Sequence, residues 1–433
     1  MATLVAEPRR VAGPGLPGRV AALRDGHARL WAATPAELPS LGPASGWRRR
    51  FVDARAAARL IDELAAEVER LPDEPAERKA WQRRIRESLQ DFGAVRLGWP
   101  AGYRRLLFAD AFYASALAFV REARACHPEL PAESLWQGLR NVLIGNSLQV
   151  LLDRDVALRP GLFAYSMLYP LTDNLLDDPR VPAAEKRAFS ERFGRRLAGR
   201  PPEVSGPRDA AIFALVARVE EEFPRAAFRD VHESLLSIHR AQVASLRQQD
   251  EAGLTGDEIL AISCEKGGTS VLADLHLVTG RASAAEERFA FGFGVCLQLL
   301  DDLQDVVPDL GAGHQTLFTR AAGLGPLDEP TARLARFIED VVEGADVVAG
   351  PAYADRRDLI RRNCLTLLVG AVAEQPARFT RRFRRAIERQ WPLSLRAMRR
   401  LRRRAEARAG AASSSLRRRA GASSLLDLAI ALA

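Results

Sequence analysis

Two stretches of this 433-residue chain set aspartates four residues apart directly after an apolar run, and no other feature restricts the fold as much. The first reads Phe163-Ala164-Tyr165-Ser166-Met167-Leu168-Tyr169-Pro170-Leu171-Thr172-Asp173-Asn174-Leu175-Leu176-Asp177-Asp178-Pro179. The second reads Gly292-Phe293-Gly294-Val295-Cys296-Leu297-Gln298-Leu299-Leu300-Asp301-Asp302-Leu303-Gln304-Asp305. On a helix Asp173 and Asp177 share one face, as do Asp301 and Asp305, with their carboxylates about one turn apart. A repeat of this kind, 128 residues from Asp173 to Asp301, predicts two helices of a bundle presenting their acids to one another.

The rest of the chain fits an all-α reading. Apolar residues recur at helical spacing from Arg55 onward, as in Ala58, Leu60, Ile61, Leu64 and Val68, and β-branched alternation is scarce. Breaker clusters at Leu71–Pro75, Gly98–Pro100, Gly199–Pro202, Gly253–Gly256 and Gly323–Pro330 divide the body into helices. Residues 1–50, rich in Gly, Pro, Ala and Arg, are expected to form a disordered or loosely attached leader; 51–375 form the helical domain and 376–433 a basic tail. The apolar stretch Cys364–Ala373 is well short of the roughly 20 residues of a membrane span, so a cytoplasmic protein is expected. Cys126, Cys264, Cys296 and Cys364 are scattered and read as small buried residues rather than as a zinc or disulfide framework.

Like charges one turn apart on an apolar helix repel unless a cation lies between them. They suit Mg²⁺, a hard ion that takes carboxylate oxygens. Tyr165 and Tyr169 extend the first stripe inward as candidate cavity residues, and Gln298 and Gly294 extend the second. A compositional skew singles out Lys266: of 63 basic residues only three are lysine, and this one sits in Cys264-Glu265-Lys266-Gly267-Gly268-Thr269 rather than in a charged segment. Gln242, after His239-Arg240, is a further cavity candidate with core satisfaction as its competing role.

Gln298–Asp305 resembles the second aspartate-rich motif of polyprenyl diphosphate synthases, and Asp173-Asn174-Leu175-Leu176-Asp177 resembles the Asp-x-x-x-Asp motif of squalene and phytoene synthases and large bacterial terpene synthases. The chain is thus similar to the class I isoprenoid synthase superfamily over about residues 130 to 325. The resemblance implies an isoprenoid synthase type I bundle around a central cavity. It implies a metal site at Asp173, Asp177, Asp178, Asp301, Asp302 and Asp305 holding three Mg²⁺, with Asp173, Asp177, Asp301 and Asp302 as its catalytic members. The substrate would be a prenyl diphosphate, ionised to an allylic carbocation. Lys266 with Thr269 looks like the family's diphosphate-contacting step, and Gly313-His314-Gln315-Thr316 lies where elongating members carry a Gly-Lys loop. Six carboxylates balance three Mg²⁺, and a diphosphate adds roughly −3, so further cations are expected nearby. Lys266, Arg140 and Arg320 are the candidate cations and Asn141 a further diphosphate contact; Arg140 and Asn141 stand in an apolar helix, and Arg320 has a plain surface role as its alternative. The paired arginines of elongating enzymes and the Asn-Ser-Glu motif of common cyclases are absent, which speaks against simple elongation; the expected reaction is that of a terpene synthase, cyclising or rearranging the cation, with prenyl transfer by elongation or head-to-head coupling as the alternative.

Charge is distributed unevenly. Between Arg378 and Arg419 stand 16 arginines and two acids, so of the net +8 this stretch carries +14 and the remainder −6. Phe379, Phe383, Ile387 and Trp391, four apart, make an amphipathic basic helix that ends near Pro392. It has two readings, a helix packed on the body or peripheral contact with an anionic membrane face. Expected partners are therefore the prenyl diphosphate, a membrane surface and a second copy in a homodimer; no nucleic acid is expected, because stacking aromatics do not accompany the charge. A non-catalytic prenyl-lipid binder keeping only the fold is the alternative of a different class. A di-iron bundle is set aside for want of Glu-x-x-His repeats.

Overall fold

The computed structural model describes residues 15–420 apart from 73, 178–179, 202, 251–252 and 349–352; among the described residues there is no strand. The N-terminal third forms α1 (Leu16–Ala33), α2 (Trp47–Glu69), α3 (Pro75–Arg96), α4 (Ala101–Leu107), α5 (Asp110–Cys126) and α6 (Ala132–Leu151). Then come α7 (Pro160–Asp177), α8 (Ala183–Leu197), α9 (Pro207–Glu222), α10 (Arg229–Ser245) and the single turn α11 (Arg247–Asp250). The remainder is α12 (Gly256–Thr279), α13 (Ala284–Gln304), α14 (Val306–Ala312), α15 (Leu317–Leu324), α16 (Asp328–Glu343), α17 (Ala354–Glu374), α18 (Arg381–Arg389) and α19 (Leu395–Ala420). Each breaker cluster read from the sequence marks a junction between two of these helices, although Gly323–Pro330 reaches into the end of α15 and the start of α16. Where the central helices begin, capping boxes fix the start: Thr255 with Glu258 for α12, and Ser283 with Glu286 for α13.

α12 is the middle of the molecule. It packs on α1, α6, α7, α10, α13 and α15 and is buried on nearly every side. Its Cys264, Val271 and Leu275 belong to a large core shared with α1, α13, α16, α17 and α18, where Trp31, Phe291, Phe337, Leu368 and Ile387 meet. Its Ala273 and Leu277 belong to a second core with α5 to α10, built on Phe119, Phe163, Phe189, Val216 and Leu235. Burying one such leucine or phenylalanine contributes about 1.5–3 kcal/mol, so a helix that feeds both cores joins them into one unit.

Two close crossings position what lies between the cores. A Cβ on Gly267 would come within 2.4 Å of the Gly294 carbonyl oxygen, and one on Gly294 within 2.1 Å of that of Gly267, so α12 and α13 touch backbone to backbone. α6 approaches α7 in the same way, since a Cβ on Gly138 would lie 2.9 Å from the Ser166 carbonyl oxygen. Pro170 inside α7 has no N–H to offer that carbonyl.

Two expectations need correction, those for the leader and for Cys126, and the tail takes the first of its two readings, packed on the body. Residues 15–50 are not a detached leader: Leu16, Val20 and Trp31 of α1 sit in the large core, and Arg19 grips Glu287 through Nε and Nη2 at 2.8 Å each and Asp230 at 2.8 Å. The apolar residues of α1 recur at helical spacing, but Gly, Pro and Arg around them hide the stripe. Residues 1–14 lie outside the described residues. In the tail, Phe379, Phe383 and Ile387 face the large core with Trp391 packed against it, and Leu395 joins them at the start of α19. Their aromatic and aliphatic faces are therefore spent on the protein; residues 421–433 lie outside the described residues. Among the cysteines, Cys264, Cys296 and Cys364 are buried, whereas Cys126 at the end of α5 is exposed.

Candidate functional site

A cavity of about 310 Å³ opens between α6, α7, α12 and α13, closed on one side by Leu367 of α17. Its walls are apolar, from Leu143, Ile144, Val271, Leu297 and Leu300. Polar groups enter from each helix: Arg140 and Asn141 from α6, Tyr169 from α7, Ser270 from α12, Gln298 and Asp301 from α13. The glycine crossing of α12 on α13 supplies its floor, because Gly267 and Gly294 both line it.

The second aspartate cluster divides by face. Asp301 and Asp305 are exposed, while Asp302, 100° further round the helix, is buried. Ser263 donates to Asp302 Oδ2 at 3.2 Å and Gln298 Nε2 to Oδ1 at 2.8 Å. Burial pushes the Asp302 carboxyl up to about 7; the Gln298 hydrogen bond opposes that, Asp301 adds to it, and Lys266 opposes it. Asp302 is thus turned inward as an anchor for Gln298 rather than outward as a metal ligand, a correction to its expected role. Asp305 ends α13 and its carboxyl is raised by partial burial and by the charges of Asp301 and Asp309, with Arg140 acting the other way.

Asp309 belongs to this stripe although it was not singled out from the sequence. The repeat 301, 305, 309 continues into α14, and the signal was there to be read. Its carboxyl is raised by burial and opposed by His314, whose Nδ1 lies 3.3 Å from Asp309 Oδ1. Gly313, at φ 76°, makes the left-handed turn that brings His314 back onto α14. The loop that resembled a Gly-Lys element is therefore closed on its own helix.

The other candidates separate clearly. Arg140 is exposed at the rim of the cavity, and Lys266 is half-buried. Neither makes an ion pair among the described residues, yet Arg140 acts on Asp305 and Lys266 on Asp302 and Asp309. Asn141 is buried, and its amide nitrogen donates to Ser166 Oγ and to Asp274 Oδ1, both at 3.0 Å. With both amide hydrogens committed, it has no donor left for a substrate, which corrects that expectation. Asp274 is the second residue that the sequence did not reveal: it is fully buried, its carboxyl is driven well above the usual range by that burial, and its Oδ2 has no hydrogen-bond partner. Arg320 is not at the cavity; its Nη1 donates to the Leu254 carbonyl at 2.7 Å. Tyr165 is buried, with its hydroxyl 3.3 Å from the Ser270 carbonyl, and shares with Tyr169, Gln242 and His239 a small void of about 20 Å³. Tyr169 alone borders both spaces.

The backbone of Asp173 and Asp177 belongs to the last turns of α7, but their side chains, and all of Asp178, lie outside the described residues. Among the described residues no three Asp, Glu, His or Cys side chains converge closely enough to hold a metal ion. The exposed carboxylates of Asp301 and Asp305 suit a hard divalent cation on chemical grounds; the buried, hydrogen-bonded Asp302 does not.

The chain matches no family model and no curated relative. Among solved structures it is similar to a geranyltransferase from Legionella pneumophila, at 13% identity and a TM-score of 0.39, over 61% of this chain and 96% of that one. A likeness at that level carries no argument about either fold family or function. Among the described residues no helix is long and apolar enough to cross a membrane.

Proposed function

We propose that this chain is a Mg²⁺-dependent class I isoprenoid synthase, which ionises an allylic prenyl diphosphate and cyclises or rearranges the resulting cation with release of diphosphate. The observation that supports this reading is that both aspartate-bearing helices border one cavity. Asp301 lines it from α13, and Tyr169, one turn before Asp173, lines it from α7.

Asp301 and Asp305, together with Asp173 and Asp177, are the residues that would hold the metal. Bound Mg²⁺ supplies positive charge against the leaving diphosphate. Lys266 and Arg140, cations without a carboxylate partner among the described residues, offer charge-assisted hydrogen bonds to the same group. The apolar walls exclude water that would otherwise quench the cation, and Tyr169 brings an aromatic ring to that space. Gln298 is held at the wall by Asp302, so its amide keeps one orientation.

The test is incubation with geranyl, farnesyl, geranylgeranyl and longer prenyl diphosphates, each with Mg²⁺ and with or without isopentenyl diphosphate. Hydrocarbon or alcohol from a single substrate supports the proposal. A longer diphosphate, or a coupled product, would transfer the site to the prenyltransferases. No diphosphate release from any substrate would sink both.

A further inference from the structure

A second charged concavity lies far along the chain from the aspartates. α18 and the start of α19 enclose a cleft of about 320 Å³ lined by Arg381, Arg384, Arg385, Arg396 and Arg399, with Glu388 as its one acid. Five guanidinium groups face one carboxylate, and that carboxylate is already used: Glu388 Oε1 accepts from the Leu395 N–H at 3.0 Å, starting α19.

The cleft is built rather than incidental. Phe383 and Ile387 anchor α18 in the large core and Leu395 anchors α19 there, so the arginines between them are held to one side. Neither helix has an acid in its first turn, where one would be favoured, and both put arginines there instead. The carboxylates at those starts come from elsewhere, Asp328 accepting from the Thr380 N–H at 2.9 Å and Glu388 from the Leu395 N–H, so the arginines themselves carry the charge of the cleft.

The opposite side of α19 shows how this chain normally treats arginine. Arg402 pairs with Glu406 at 2.9 Å and Glu374 at 3.8 Å, and Arg404 and Arg408 both pair with Asp62. None of the five cleft arginines has an ion-pair partner among the described residues, and Arg384 Nε is buried without an acceptor. The missing counter-charge is a ligand's.

We propose that this cleft binds a compact anion carrying two or more phosphate groups, free in solution or as the headgroup of an anionic lipid. Arginine forks take phosphate oxygens two at a time, and several forks around one opening select for multiple phosphates over a single carboxylate. The volume lies at the small end of ligand sites, roughly 300–1,000 Å³, which suits a headgroup and not a whole nucleotide chain. The site stands independently of the aspartate cavity.

The full chain is titrated calorimetrically with inorganic pyrophosphate in EDTA, and sedimented with phosphatidylcholine vesicles with or without phosphatidylinositol bisphosphate. Saturable pyrophosphate binding is expected, weakened about tenfold in Arg384→Gln and in the exposed Arg396→Gln, the loss that accompanies one charge-assisted hydrogen bond. Arg396→Lys should recover part of it, and Arg402→Gln and Asp301→Asn should leave it unchanged. Pyrophosphate binding without vesicle binding assigns a soluble ligand. Vesicle binding that requires phosphatidylinositol bisphosphate and is displaced by pyrophosphate assigns a lipid headgroup. No saturable binding of either probe, wild-type affinity in Arg396→Gln, or equal weakening by Arg402→Gln overturns the proposal; should Arg384→Gln fail to fold, Arg396→Gln decides.

Discussion

The end of α13 and the start of α19 both concentrate like charge, but they surround it differently. Around Asp301, Asp305 and Asp309 stand Arg140, Lys266 and His314, and beneath them lies an apolar cavity with buried hydrogen-bonded acids behind it. The arginine cleft has five guanidinium groups against the single carboxylate of Glu388, and no apolar wall like that of the cavity. A site that must carry a molecule through a reactive, charged state needs countercharges in place and water kept out. Holding an anion needs only matched donors. The contrast fits the two proposals, chemistry at the first region and recognition at the second.

The sharpest break would come from Asp301→Asn. It should lower Mg²⁺-dependent diphosphate release about a thousandfold, the scale expected when preorganised charge at a reacting group is lost. Arg396→Gln should leave that rate unchanged.

Next in size is the distinction between exposed and buried acids within one cluster. In metal-free protein the Asp302 carboxyl sits at about 7 instead of the ordinary 3.8. The folded state therefore keeps a proton that the unfolded chain releases. Asp302 contributes stability fully present below pH about 4 and lost as pH rises to about 7, at most about 4 kcal/mol. Asp302→Asn should flatten the denaturant midpoint across that window in EDTA. An unchanged slope would mean that Asp302 is not the group that titrates.

The glycine crossing gives the third test. Gly294→Ala forces a methyl into the Gly267 carbonyl and should cost about 1–3 kcal/mol in chemical denaturation. It should also lower activity, because the same contact floors the cavity. The smallest effect belongs to the cleft: Arg396→Gln should change stability by no more than about 0.5 kcal/mol, since an exposed cation without a partner holds nothing in place. A large loss there would make the cleft structural.

The helical class and most helix boundaries were legible, because Gly and Pro clusters interrupt an otherwise steady period. So was the stripe of Asp301 and Asp305, since spacing alone sets which residues share a face. The same geometry implied that Asp302 points elsewhere, but family likeness grouped it with its neighbours. Asn141 and Asp274 were not legible as a pair: 133 residues separate them, and their hydrogen bond exists only once α6 lies on α12. Arg320 could not be told from a substrate contact until its hydrogen bond to the Leu254 carbonyl was seen. The arginine cleft was hidden inside a charge total, which counts guanidinium groups without saying which ones find an acid.

α1 carries a consequence for how the chain is made. Arg19 closes on Glu287, 268 residues later in the chain, and the apolar side of α1 packs on α12, α13 and α16. Until those helices are synthesised it has no surface to bury itself against. Its stripe is thin, with Arg19, Arg24 and Arg29 spread along it, which keeps it soluble as an unpartnered segment. Docking of α1 is thus a contact across 268 residues, the kind of long-range closure that forms slowly.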